Sequence, residues 1–395
     1  MTDPMKTNKP IGKRGASALL VVSGLLWTSC AAERTSIPLR PGVLVPRTRA
    51  PSHSPSLLNG EHTFVLVAID GVRHEDVFEG VDPSLAKRHG LVERELLSAR
   101  ALTPNLHALM ARGAALGAPG SGAGIFASGP NFVSVPGYME LMTGRRATAC
   151  TTNGCAATTH PTLADDFARL PDVSPLEIGV ISSWDGIGRG AARDPSRATV
   201  SVGRHQGATR DLLRYDAEAS ALLDAGEQAG PSPGYGDYRR DRDTAAIALR
   251  YLKKVKPRFM FLGLGDTDEH AHHDDYRGYL RALSHADYVV GQVQAALGEL
   301  EREGRRTTLM ITTDHGRERD FDGHGGHAPE SAEVWLIAAG WGIARQDRVE
   351  SRSARYLADV TATIRVLAGV GVVEPSSTAL AELMDPAELR LSQVR

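Results

Sequence analysis

From residue 63 onward, apolar runs with no polar side alternate with segments of helical period, and this alternation restricts the fold more than any other feature. Residues 63–69, 177–182, 259–264, 307–312 and 334–339 read as strands, and 103–113, 162–170, 243–255, 276–303 and 355–368 as helices. Thr103 stands at an N-cap position, with Pro104 at the first helical position. A strand without a polar face must be covered on both sides, and helices interleaved between such strands supply the crossovers of a parallel sheet. The expectation is an α/β fold: a doubly wound, mostly parallel sheet with helices on both faces. A chain of 395 residues, 42% of them hydrophobic, has the material for that core.

The N-terminus reads as a targeting segment. Lys6, Lys9, Lys13 and Arg14 precede an apolar run from Ala16 to Trp27, shorter than the about 20 residues that cross a bilayer and followed by small residues. Residues 1–30 are therefore expected to be a signal peptide of lipoprotein type with Cys30 as the lipidated residue; a competing cut after Ala31 releases a soluble protein. Export to the periplasmic side, anchored through that lipid or otherwise soluble or secreted, follows. Residues 31–60 read as a tether, 61–372 as the catalytic domain, 184–241 as a cap inserted near the site, and 373–395 as a C-terminal extension. In an oxidising compartment Cys150 and Cys155 are expected to form a disulfide across a tight loop. A net charge of −2 gives no electrostatic reason for nucleic-acid binding, and the oligomeric state is left open.

Three acids follow strands: Asp70, Asp266 and Asp314. Ligand sites of such sheets lie beyond the carboxyl ends of the strands, so the three converge on one edge. Asp266 and His270, four apart, share a face of one helical turn and can hold one ion. Asp314 and His315 serve one ion where the backbone turns sharply, which Gly316 permits. Carboxylates mixed with imidazoles suit zinc. Ser134 sits where a loop turns into a helix, beside backbone N–H groups that favour a phosphoryl group, although a serine there is also an ordinary helix cap.

These segments resemble the alkaline phosphatase superfamily of phosphatases, phosphodiesterases, mutases and sulfatases. The resemblance runs through Ala68-Ile69-Asp70-Gly71, Thr103-Pro104-Asn105-Leu106, Ser134-Val135-Pro136, Leu141-Met142-Thr143-Gly144, Asp266 with His270, Thr313-Asp314-His315-Gly316 and residues 359–364. It implies that Asp70, Ser134, Asp314 and His315 hold one zinc ion and that Asp266, His270 and a late histidine hold the other. His324 is preferred for the last place and His327 is the alternative. Where sulfatases carry an arginine, four residues after the nucleophile, stands Tyr138, which speaks against their formylglycine chemistry. Asn131 is a candidate for a substrate oxygen, and Arg145, Arg146 or an arginine of the 184–241 segment for the extra charge of a monoester.

The expected function is an exported two-zinc hydrolase of small phosphate esters that acts through a phosphoserine on Ser134. Its alternatives are a phosphodiesterase or sulfatase-like hydrolase of the same superfamily, and a non-catalytic surface lipoprotein that keeps the metals as structural cement.

Overall fold

The computed structural model describes residues 39–45 and 62–387 apart from 147, 322 and 327. The signal segment with Cys30, most of the tether and His327 lie outside the described residues. None of the described helices is long and apolar enough to cross a membrane.

The central sheet has eight strands. In chain order they are β1 (His62–Ile69), β2 (Ala114–Leu116), β3 (Ile178–Ser182), β4 (Thr199–Val202), β5 (Phe259–Leu264), β6 (Arg306–Thr312), β7 (Leu336–Gly340) and β8 (Asp347–Arg348). Across the sheet the order is β8-β2-β7-β6-β1-β5-β3-β4. β6, β1, β5, β3 and β4 run parallel, and β7 is antiparallel to both of its neighbours. The expected doubly wound, mostly parallel architecture is what the chain adopts.

Alternate residues of the middle strands enter two separate cores, which is why these strands lack a polar face. Val65, Val67 and Ile69 of β1, with Met260 and Leu262 of β5, pack on one side. Phe64, Leu66 and Ala68, with Phe259 and Phe261, pack on the other. Of the helices, α1 (Pro104–Met110), α2 (Ser134–Thr143), α3 (Asp241–Val255), α4 (Asp266–His272), α5 (Tyr276–Arg302) and α6 (Leu357–Ala368) bear on the argument. The stripe of α3 (Ile247, Ala248, Tyr251) and that of α5 (Tyr279, Leu283, Val290) cover the first face. Leu141 and Met142 of α2 and Val360 and Ile364 of α6 cover the second.

Several segments join the domain more closely than their composition suggests. Residues 199–202, inside the stretch read as a cap, form the edge strand β4. Residues 39–45 of the tether pack onto the domain, with Leu39 buried and its N–H donating to Glu95 at 2.9 Å. Leu380, Leu383 and Met384 of the C-terminal extension are buried in the second core.

Candidate active site

The middle strands β6, β1 and β5 are in register, Ile69 beside Leu264 and Ala68 beside Thr312, so the residues that leave their carboxyl ends meet at one edge. Asp70 follows β1 directly, and Asp314 follows β6 by one intervening residue. Gly71 adopts a left-handed φ of 61°, and a Cβ there would overlap the Asp268 carboxylate. Helix α2 comes close because position 137 is glycine: a Cβ would overlap the Asp314 carbonyl.

Each of the two buried acids has one oxygen tied down and the other free. Asp70 Oδ2 accepts from the Tyr138 hydroxyl at 2.8 Å, and Asp314 Oδ1 accepts from the Gly71 N–H at 3.2 Å. Asp70 Oδ1 and Asp314 Oδ2 are buried without a hydrogen-bond partner. Both point at His315 Nε2, at 3.4 and 3.6 Å. His315 Nδ1 donates to the Gly316 carbonyl at 2.8 Å, so Nε2 carries a lone pair, and Ser134 Oγ lies 3.3 Å from it. Two carboxylate oxygens and an imidazole lone pair facing one point repel one another unless a cation lies between them. The same repulsion displaces the carboxyl pKa values. Burial, then the neighbouring Asp314 and Asp268 charges, holds the Asp70 carboxyl well above its usual range, and burial and Asp268 push Asp314 up to about 8. Burial keeps His315 neutral. The four residues fit a divalent ion by donor type, orientation and unmet hydrogen bonding.

A second group stands beside the first. Asp268 Oδ2 lies 2.9 Å from His272 Nε2, and His324 Nε2 lies 3.4 Å from the same His272 atom and 3.9 Å from Asp268 Oδ1. His324 Nδ1 donates to the Phe132 carbonyl at 2.9 Å, which turns its Nε2 lone pair into the group. The rings of His315 and His324 stack with centroids 4.0 Å apart, and Asp268, His315 and His324 offer ligand atoms within 4.8 Å of one another. Burial raises the Asp268 carboxyl, but Arg317, His272 and His324 outweigh it and hold the group well below the usual range. Arg317 is ion-paired to Asp268 Oδ1.

Asp266 and His270 lie elsewhere. Asp266 Oδ1 accepts from the Tyr238 hydroxyl at 2.7 Å and from the Asp241 N–H at 3.2 Å, joining α4 to the start of α3. His270 Nδ1 is 3.2 Å from Asp275 Oδ2. Asp268 and His272 have the same four-residue spacing on the same helix, and two residues turn the side chain by about 200°. The spacing rule admits both pairs; the facing is decided by Asp266 binding Tyr238 and Asp241.

Ser134 opens α2, but the residue at the N-cap is Val133 and makes no side-chain cap, so the serine is not the plain cap of its helix. The capping hydrogen bond comes from Asn153, whose Oδ1 accepts from the Val135 N–H at 2.9 Å. Asn153 was not singled out in the sequence, and no local pattern marks it. It sits in the loop closed by Cys150 and Cys155, which form a disulfide with Cα atoms 5.7 Å apart. Non-reducing peptide mapping of the native protein is expected to recover the two cysteines on one linked peptide; free thiols at both positions would refute the pairing.

Asn131 binds the Thr151 carbonyl through Nδ2 at 2.8 Å and accepts from the Gly326 N–H, tying loops together. Arg145 is paired with Glu374 at 2.5 Å, and the Arg146 guanidinium lies 3.7 Å from the centre of the Tyr356 ring. A cavity of about 150 Å³ opens at the cluster, lined by Asp70, Ser134, Asp268 and His272 together with Asn153 and Trp184.

A family model described as the Metalloenzyme superfamily matches residues 234–370. No protein of curated function matches the chain. Among solved structures, the chain is similar to a 2-O GAG sulfatase, with 16% identity over 83% of this chain and 74% of that one and a TM-score of 0.50. It is similar to a phosphonate monoester hydrolase from Silicibacter pomeroyi, with 14% identity over 81% and 76% and a TM-score of 0.52. Inactivated murine ectonucleotide pyrophosphatase/phosphodiesterase 5, in complex with AMP, aligns at 12% identity over 82% and 100% with a TM-score of 0.50.

Proposed function

The chain has the fold of the alkaline phosphatase superfamily and the metalloenzyme pattern in its C-terminal part, and on that premise we propose that it is a metal-dependent hydrolase of phosphate esters with Ser134 as nucleophile. The observation that carries this reading is the convergence of two partnerless carboxylate oxygens and the His315 lone pair around the Ser134 hydroxyl. Asp70, Ser134, Asp314 and His315 would hold one ion, and Asp268, His272 and His324 the other. Two divalent ions, zinc being the best match to this donor set, lower the pKa of a coordinated hydroxyl and neutralise phosphoryl charge.

The rest falls to the protein. Ser134 Oγ stands at the start of a ten-residue helix whose first N–H groups and dipole favour a phosphoryl group at that point. With Asn153 Oδ1 engaged by the Val135 N–H, the amide Nδ2 protons are its donors for a phosphoryl oxygen. In the first step the Oγ–P bond forms as the P–O bond to the leaving group breaks; the serine proton is lost and the leaving alcohol gains one. Water then adds to the phosphoserine, which releases the phosphate product and restores the hydroxyl. Tyr138 keeps Asp70 oriented through its hydrogen bond. Its presence where sulfatases carry arginine favours phosphate over sulfate esters.

Elemental analysis of the dialysed full chain is expected to find about two divalent ions per molecule, with zinc predominant. Asp268→Ala should lose one of them, and Asp266→Ala should keep both. If the Asp266 variant loses an ion and the Asp268 variant does not, the ligand assignment is wrong. A protein that holds both ions and turns over no phosphate ester would favour the non-catalytic reading. The basic and apolar N-terminus supports export with Cys30 as lipid anchor. Incorporation of labelled palmitate into the wild type and not into Cys30→Ser checks this, and no incorporation into either sinks it.

A further inference from the structure

We infer that the site selects monoanionic phosphodiesters bearing an aromatic group over dianionic phosphate monoesters, an inference that rests on the proposed hydrolase reading. The basis is the charge inventory of the cavity. Of the ten residues that line it, three are acidic and none is lysine or arginine. Two of the acids, Asp70 and Asp268, belong to the metal cluster; the third, Glu269, does not. Whether ionised or protonated, a carboxyl group brings no positive charge to a substrate.

No arginine lines this cavity, and several of those close to it in sequence or space are committed elsewhere. Arg145 is paired with Glu374, and Arg146 stacks on Tyr356. In the 184–241 segment, Arg204 donates to the Ala229 and Gly236 carbonyls, and Arg210 and Arg214 both bind Glu227. Arg317 is buried and bonded to Asp268 instead of lining the cavity. Two divalent ions and Arg317 would bring five positive charges, of which Asp70, Asp268, Asp314 and an ionised serine offset four. A phosphate monoester carries about 1.5 to 2 negative charges at neutral pH and a diester one. The one charge left over matches a diester; the second charge of a monoester meets no cation among the residues that line the cavity, where Glu269 stands instead.

The same lining supplies what a second ester group needs. Trp184 packs partly against Val135, Met139 and Cys150 and is partly exposed on the cavity, and Tyr235, 66% exposed and edge-on to His273, shares the lining, so the two offer an aromatic surface to a ligand. The third aromatic residue, Tyr238, is buried and spends its hydroxyl on Asp266. An aryl or heteroaryl group on the non-reacting ester oxygen would rest against Trp184 and Tyr235.

The test uses the full metal-loaded chain with three esters that share one aryl leaving group: the monoester, its methyl diester and the bis-aryl diester. The expected order of kcat/KM is bis-aryl above methyl aryl above monoester, with the methyl diester ahead of the monoester by about tenfold or more. Tyr235→Ala, at an exposed position that leaves the core intact, should raise KM for the bis-aryl ester about three- to tenfold and leave the methyl ester unchanged. Equilibrium dialysis of the same esters against metal-loaded Ser134→Ala protein, whose turnover is slowed about a hundredfold, gives dissociation constants corrected for residual hydrolysis, and the diesters should bind more tightly. Preference for the monoester, or equal dissociation constants, overturns this inference and leaves the hydrolase reading standing. Turnover of none of the three overturns the hydrolase reading itself. A bis-aryl preference that survives Tyr235→Ala unchanged removes the aromatic contact.

Discussion

Replacing Ser134 by alanine is expected to lower kcat for a phosphate ester by about a hundredfold or more, roughly 2.7 kcal/mol at 1.36 kcal/mol per decade, while the fold persists and most of the bound metal is retained. The serine makes no cap hydrogen bond to its helix and its oxygen is one donor among seven, so its loss removes a nucleophile and leaves the carboxylates and imidazoles in place. Water attacking directly leaves a residual rate, which is why zero is not the expectation. Rapid quenching with a labelled substrate should trap phosphoprotein in the wild type and none in the variant. Wild-type turnover in the alanine variant, with metal content unchanged, would end the covalent mechanism.

Stripping the metal is expected to make stability strongly dependent on pH. In the metal-free chain burial raises the carboxyls of Asp70 and Asp314, the latter to about 8, against an ordinary value of about 3.9. A folded-state pKa above the unfolded one means that folding favours the protonated form. That contribution is fully present below about pH 4 and is lost as pH rises towards 8, where two buried charges are left facing each other. Chelated protein should therefore melt at progressively lower temperature between about pH 5 and 8, and adding zinc at pH 8 should raise Tm by about 5 °C or more. With the ions bound the dependence reverses, because the ligands must be ionised to bind and acid releases the metal. Parallel melting curves with and without chelator across that range would show that these acids do not face a cation.

The sheet was legible in the sequence because strands buried on both faces carry an uninterrupted apolar signal, as β1, β5 and β6 do. β4 was not, since four residues inside an arginine-rich stretch give too short a pattern to stand out from a loop. The carboxyl-end rule brought Asp70 and Asp314 together on physical grounds. It led to Asp266 with His270 and not to Asp268 with His272, because helical spacing fixes which residues share a face and not which way that face looks. The competitor was a tertiary contact: Tyr238 and Asp241, from a segment of irregular pattern, take up the Asp266 carboxylate. Asn153 was illegible for a related reason. A side chain that caps a helix 18 residues earlier is placed by loop geometry, and no periodicity records it.

The position of β1 has a consequence for the order of events in folding. Its two neighbours in the sheet are β5 and β6, so the strand that delivers Asp70 gains its first partner at Phe259 and its second at Arg306. A nascent chain that has emerged only as far as the end of β5 holds β1 with one edge open, a condition that invites pairing with another chain. The ions cannot relieve that vulnerable interval, since Asp314 and His315 lie beyond β6. Pairings this distant are slow to form, so metal uptake reports completion of the fold and cannot nucleate it. The chain is expected to acquire its ions in the compartment where it finishes folding, wherever it was synthesised.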